Sequence, residues 1–145
     1  MINLFVYGTL MFPQVMTTLT GLTPTYAPAV ARNTARFSIR NQVYPGLVNR
    51  SGNLTMGYLI RNLDEVNWHL IKAFEGNEYS VGPVAIETQQ HNMNAYTFFV
   101  HAHSLDIVAN SFWNPESFLR YQLESFLADC RAFKQTYRHH SIDAN

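Results

Sequence analysis

The sequence predicts an α+β fold, and three observations carry the prediction. Short apolar runs of strand character are interrupted by two well-marked amphipathic helices. The chain of 145 residues is 47% apolar, enough for one substantial core and about one domain. No internal repeat or low-complexity linker divides it, so residues 1–145 read as a single unit.

The elements follow in order. Leu4-Phe5-Val6-Tyr7 is a continuous apolar run ended by Gly8, the pattern of a buried strand. Residues 12–19 suit a short helix, with Pro13 in its first turn and Gly21 at its stop. Residues 26–39 hold two strand segments with a break near Asn33. Tyr44-Pro45-Gly46 is a turn signal, because a proline biases the residue before it towards extended backbone. Residues 54–60 are strand-like, and Gly57 inside them marks a bulge or a close backbone approach.

The first clear helix covers residues 64–74. Asn62 or Asp64 can cap it, and Asp64 and Glu65 suit its first turn. Leu63, Val66, Leu70, Ile71 and Phe74 recur at helical spacing, and Gly76 suits the C-terminal stop. Residues 84–88 and 93–101 read as strands joined in a hairpin around Gln89-Gln90-His91-Asn92. The second helix opens at Asn114-Pro115, a cap followed by proline. Leu119, Leu123, Phe126, Leu127, Cys130 and Phe133 give it one apolar face, expected to pack on the sheet, and the polar tail 137–145 is expected to fray. Strand order, and whether the sheet closes, are not encoded in such local patterns.

Composition narrows the functional classes. Ten basic and ten acidic side chains leave a formal net charge of zero, so the concentrated positive field of a nucleic-acid binder is missing. Only 14% of residues are charged, which leaves room for an apolar surface patch through which a homodimer could form. One cysteine, Cys130, permits no intrachain disulfide and fits a reducing compartment. The opening Met1 to Tyr7 lacks the basic flank and long apolar core of a signal peptide, and no apolar run is long enough for a bilayer. The expectation is a cytoplasmic protein without a membrane partner.

Three features can carry chemistry. In Tyr7-Gly8-Thr9-Leu10, a glycine after a buried strand lets the backbone turn and approach a ligand, and the N–H groups of such a turn can converge on an anion. An ordinary strand-ending turn has the same pattern. Glu75 stands at the negative C-terminal end of the first helix, beside Phe74, where both the dipole and an apolar neighbour disfavour its charge. A carboxylate so placed suits a proton acceptor near neutral pH, although a solvated glutamate also fits, and Glu78 competes for the role. Tyr44 and Tyr79 can present hydroxyls to a pocket while their rings pack. The remaining candidates are weaker. His101 and His103 would share one strand face, and His139-His140 lies in the tail, but neither spacing supplies a metal-ligand set. Cys130 falls on an apolar helix face and reads as core, and no Gly-x-Ser-x-Gly elbow supports a serine nucleophile.

Three motifs taken together resemble the gamma-glutamyl cyclotransferase-like family, in its avirulence-induced-gene-like branch. They are Leu4-Phe5-Val6-Tyr7-Gly8-Thr9-Leu10-Met11, Tyr44-Pro45-Gly46-Leu47-Val48 and Phe74-Glu75-Gly76-Asn77-Glu78-Tyr79, in the family's order. Residues 113–145 resemble, more weakly, the C-terminal helical extension of that branch. The resemblance implies a small mixed β-barrel with flanking helices and a pocket at one end. It also implies an enzyme that cyclises a γ-glutamyl amine or peptide to 5-oxoproline and a free amine. On it, Glu75 is the catalytic general base and acid, and Tyr7, Gly8, Thr9 and Leu10 hold the γ-glutamyl head group. Tyr44, Gly46 and Tyr79 complete the substrate pocket. Such chemistry calls for no metal and no cofactor, since cyclisation is intramolecular and proximity supplies much of the rate. One departure stands out: Val81 occupies the place where the family often has arginine, which bears on the substrate more than on the fold. The rival reading is a catalytically silent module that binds a small ligand in the same pocket, and a third is a purely structural domain, which an obstructed pocket would favour.

Overall fold

The computed structural model describes residues 1–143, with side chains described as far as Tyr137. Six strands and four helices run in the order β1 Ile2–Val6, α1 Pro13–Thr20, β2 Ala27–Ile39, β3 Pro45–Leu63, α2 Glu65–Glu75, β4 Tyr79–Thr88, β5 Asn92–Val100, β6 Val108–Phe112, α3 Pro115–Tyr121 and α4 Leu123–Asp143. Two 3₁₀ turns, Thr9–Met11 and Ala102–Ile107, link them.

Five strands close a barrel. β1 pairs antiparallel with β3 (Phe5 opposite Leu59), β3 with β2 (Gly57 opposite Ala29), β2 with β4 (Val30 opposite Glu87) and β4 with β5 (Val84 opposite Ala95). A parallel pairing of β5 with β1, Tyr96 opposite Leu4, completes the circuit. β6 extends the sheet along the second half of β2, with Phe112 opposite Phe37.

The alternation of side chains along β1 explains its unbroken apolar run. Phe5 and Tyr7 point into the barrel with Leu47, Leu59 and Ile86, while Leu4 and Val6 pack outward under the helices with Met16, Ile71 and Phe118. A strand buried on both faces needs no polar residue at every second position. Full burial of one such aliphatic or aromatic side chain contributes about 2 kcal/mol.

Several sequence expectations are corrected. Residues 26–39 form one strand rather than two: Asn33 adopts φ 56° where the register shifts, yet pairing with β3 continues on both sides. The Thr34 hydroxyl donates to Ala31 O at 3.1 Å and lies 2.9 Å from the Thr55 hydroxyl, closing the bulge. Pro45 and Gly46 are not a turn but the start of β3, where a proline's missing N–H is tolerated. The turn lies earlier, with Asn41 at φ 63°. β4 begins at Tyr79, well before residue 84.

On α2, Val66 is 78% exposed and Trp68 takes its place in the core. The C-terminal helix is two helices, divided at Gln122, whose φ of −122° leaves the α region. The break turns Leu119 to solvent and buries Phe118 instead. α4 lies against α1 and the aromatic end of α2, and its Phe126, Leu127 and Cys130 share one core with Leu4, Val6 and Phe98 of the sheet. It continues to Asp143 instead of fraying from residue 137, and Ala144 and Asn145 lie outside the described residues. His101 and His103 are not on a strand: His101 caps the second 3₁₀ turn, and the two rings stack at 4.7 Å.

Candidate active site

Glu75 owes its position to α2. Asp64 caps the helix by accepting the Asn67 N–H at 2.8 Å, and Gly76, at φ 79°, ends it. Trp68, Ile71 and Glu75 then fall on one stripe at helical spacing, so a helix that buries Trp68 and Ile71 turns Glu75 inward as well. Phe74 fixes this end of the helix, with its ring edge-to-face against Phe126 at 5.9 Å and Phe133 at 5.2 Å, both on α4.

The opposite wall is the end of β1 and the turn after it. Gly8 is needed for close approach, since a Cβ there would stand 2.8 Å from Pro45 Cγ. The Tyr7 hydroxyl donates to Phe98 O at 2.5 Å, and the Tyr79 hydroxyl donates to Pro45 O at 2.7 Å. Tyr26 donates to Leu10 O at 3.0 Å and ties down the far side of the turn.

These walls enclose a narrow cavity of about 30 Å³. It is lined by Tyr7, Gly8, Thr9, Leu10, Tyr44, Glu75 and Tyr79, together with Phe5, Val6, Pro45 and Phe98. Seven of the eight residues expected from sequence therefore meet at one cavity. Gly46 does not: it packs beside Val100 and Ile39, where an added Cβ would come within 2.3 Å of Val100, and Pro45 lines the cavity in its stead. Glu78 is also outside the lining, which separates it from Glu75. Val81 is 41% exposed on β4 and likewise does not reach the cavity.

Burial dominates the electrostatics. It pushes the Glu75 carboxyl up to about 7, and no cation among the described residues pairs with it. Burial, reinforced by the Glu75 charge, raises Tyr7 well above the ordinary tyrosine range. Burial raises Tyr79 too, with Tyr7 and then Glu75 adding to it. Tyr44 is raised by burial and by the carboxylates of Glu78 and Glu75. All three phenols stay neutral donors, while the carboxyl can take up or release a proton near neutrality. Cys130 is fully buried behind Glu75 and its thiol is pushed up to about 12 by burial, so it is core and no nucleophile.

Sequence reasoning missed Arg36. From β2 it donates through Nη1 to Tyr7 O at 2.8 Å and to Met56 O at 3.2 Å, outside the cavity wall. β2 also carries Arg32, Asn33, Thr34 and Ser38, so no local pattern singles out Arg36. Among the described residues no group of three His, Cys, Asp or Glu is placed to hold a metal ion, and no helix is long and apolar enough to cross a membrane.

Residues 4–115 match the sequence profile of the family described as gamma-glutamyl cyclotransferase, AIG2-like. The chain belongs to this family. AIG2-like protein D of Arabidopsis thaliana is 25% identical over 136 residues, covering 92% of this chain and 89% of that protein. AIG2-like protein A of the same plant is 26% identical over 128 residues, covering 86% and 76%. A solution structure of an Arabidopsis thaliana protein superposes with a TM-score of 0.68 at 21% identity, over 94% of this chain and 84% of that one. A structure titled gamma-glutamyl cyclotransferase superposes with a TM-score of 0.60 at 12% identity, over 69% and 66%. At these identities the structural likeness establishes the barrel-and-helix fold common to the AIG2-like cyclotransferase family.

Proposed function

We propose that this protein is a gamma-glutamyl cyclotransferase acting on a γ-glutamyl amine or γ-glutamyl peptide. One observation carries the reading: the half-buried Glu75, without a cation partner among the described residues and with its carboxyl pushed up to about 7 by desolvation, shares a cavity with the Tyr7–Leu10 backbone. In the reaction Glu75 takes a proton from the substrate's α-ammonium group. The freed amine nitrogen attacks the γ-carbonyl carbon, forming the lactam C–N bond. The tetrahedral intermediate's oxyanion is held by N–H groups of the turn. As the bond to the acylated amine breaks, Glu75 returns the proton to that leaving nitrogen. The ring nitrogen gives up its second proton to the departing amine, which leaves as an ammonium ion, so atoms and charge balance without a co-reactant, and the ring closure itself is favoured by proximity. The neutral hydroxyls of Tyr7, Tyr44 and Tyr79 add polar contacts without repelling the substrate carboxylate.

The cavity's narrowness counts equally against the enzyme and a catalytically silent binding module, since both must admit the ligand, and favours a purely structural domain. At about 30 Å³ the cavity holds little more than a water molecule, far below the several hundred Å³ of most ligand pockets. Entry of a γ-glutamyl head group requires the cavity to widen. The enzyme and the binding module separate in one assay. Purified protein offered γ-glutamyl amines and γ-glutamyl dipeptides should release 5-oxoproline, and Glu75→Gln should abolish release while retaining substrate binding. Wild-type protein that binds these compounds and turns none over leaves only the binding module.

A further inference from the structure

We infer that Arg36, which does not line the cavity, is a positioning residue that aims the Gly8 N–H into it by holding the Tyr7–Gly8 peptide from behind. In a trans peptide the carbonyl and the following N–H point in opposite directions, so fixing one fixes the other. Arg36 Nη1 donates to the Tyr7 carbonyl at 2.8 Å and, with the same nitrogen, to Met56 O on β3 at 3.2 Å. The guanidinium lies on the outer side of the wall, and the cavity lies on the other, so the Gly8 N–H is turned towards the cavity. No acceptor among the described residues takes that N–H.

The arginine is itself held. Its guanidinium carbon stands 5.5 Å from the centre of the Trp113 ring. Trp113 in turn donates through Nε1 to Val43 O at 2.8 Å and through its backbone N–H to Arg36 O at 3.4 Å. A chain of contacts therefore runs from the start of the C-terminal helices, through Trp113 and Arg36, to a single peptide of the cavity wall. Gly8 needs such an external brace. Glycine has the widest backbone freedom, and an unpaired N–H has no bond of its own to fix its direction. A charged donor makes a stronger bond to a carbonyl than a neutral one.

The chemical consequence rests on the cyclotransferase reading, whereas the orientation of the peptide does not, and the test keeps them apart. Arg36→Met should lower kcat for 5-oxoproline release about 10- to 100-fold, less than or comparable with direct loss of an oxyanion donor, with KM changed less than about threefold. Guanidinium ion added to Arg36→Ala should restore part of the rate. In parallel, protein labelled with ¹⁵N-glycine should show a Gly8 order parameter near the rigid value of about 0.85 in the wild type and below about 0.6 in Arg36→Met. A wild type without turnover removes the chemical consequence and leaves the relaxation measurement to decide the positioning role. An unchanged Gly8 order parameter in folded Arg36→Met overturns the inference, as does an unchanged kcat in an active enzyme. If Arg36→Met does not fold, Arg36→Gln, too short to reach both carbonyls, is read in its place. Failure of both to fold overturns the inference in favour of a purely structural arginine.

Discussion

In the proposed reaction Glu75 is the general base, and its environment sets a measurable pH dependence. Its carboxyl, raised to about 7 by burial, must be ionised to accept the substrate's proton. The acid limb of kcat/KM should therefore rise with slope one and a midpoint near 7, instead of the value near 4.5 of an exposed glutamate. A pH–rate profile measured with a γ-glutamyl amine checks this, and a limb centred below 5 would remove Glu75 as the base. Glu78 supplies the control. It lies outside the cavity lining, so Glu78→Gln should keep kcat within about threefold of wild type, whereas Glu75→Gln should lose at least about 100-fold. The sequence raised both glutamates and local pattern did not choose between them. The choice was nevertheless legible in one place: Glu75 lies seven residues after Trp68 and four after Ile71, on the stripe that α2 buries. Reading Val66 as part of that stripe concealed it, because Val66 lies on the opposite, solvent face.

At the scale of elements, what local chemistry dictates was legible and what tertiary pairing dictates was not. Asp64 at the N-cap, Gly76 at the stop and Asn114-Pro115 at the start of α3 are decided within a few residues, and each is found where its chemistry places it. The starts of β3 and β4 were missed because Pro45 and Tyr79 join strands through partners 7 and 21 residues away, Ser38 and Val100. β6 was missed for the same reason, since Val-Ala-Asn-Ser-Phe shows no alternation and is a strand only beside β2. Of the bulge and the close approach that Gly57 allowed in the sequence, the structure shows the close approach: a Cβ there would stand 2.3 Å from Val6 O, a backbone atom that cannot swing aside. Gly57→Ala should therefore cost about 2 kcal/mol or more by forcing β1 and β3 apart, seen as a lowered urea midpoint. Phe133→Ala tests the brace between helices. Loss of its edge-to-face contact with Phe74 should cost about 2 kcal/mol, and because Phe74 adjoins Glu75, kcat should fall together with Tm.

For the whole molecule, the barrel's closure depends on a parallel pairing between the first strand and the fifth, across some ninety positions of chain, and no local pattern carries that information. Closure is nonetheless what places the end of β1, the start of β3 and the end of α2 around one cavity, and it sets a cost that the fold carries as a unit. A carboxyl raised from 4.5 to about 7 holds its proton more tightly folded than unfolded. The stability this contributes is fully present below about pH 4.5 and is lost as pH rises through 7, in total about 3 kcal/mol between the two limits. Above that pH the folded protein keeps a desolvated, unpaired charge. Glu75→Gln removes the titration and leaves a neutral amide of similar shape. The variant's stability minus the wild type's should thus be constant in acid, grow between pH 4.5 and 7, and level off above. At pH 8 the wild type's Tm should trail the variant's by about 5–10 °C more than it does at pH 4. Paired thermal melts across that range check the sign, and taking the difference cancels the other titrating groups. A difference independent of pH would mean that the carboxyl is solvated in the folded protein, and with it the burial that fits Glu75 for proton transfer would be gone.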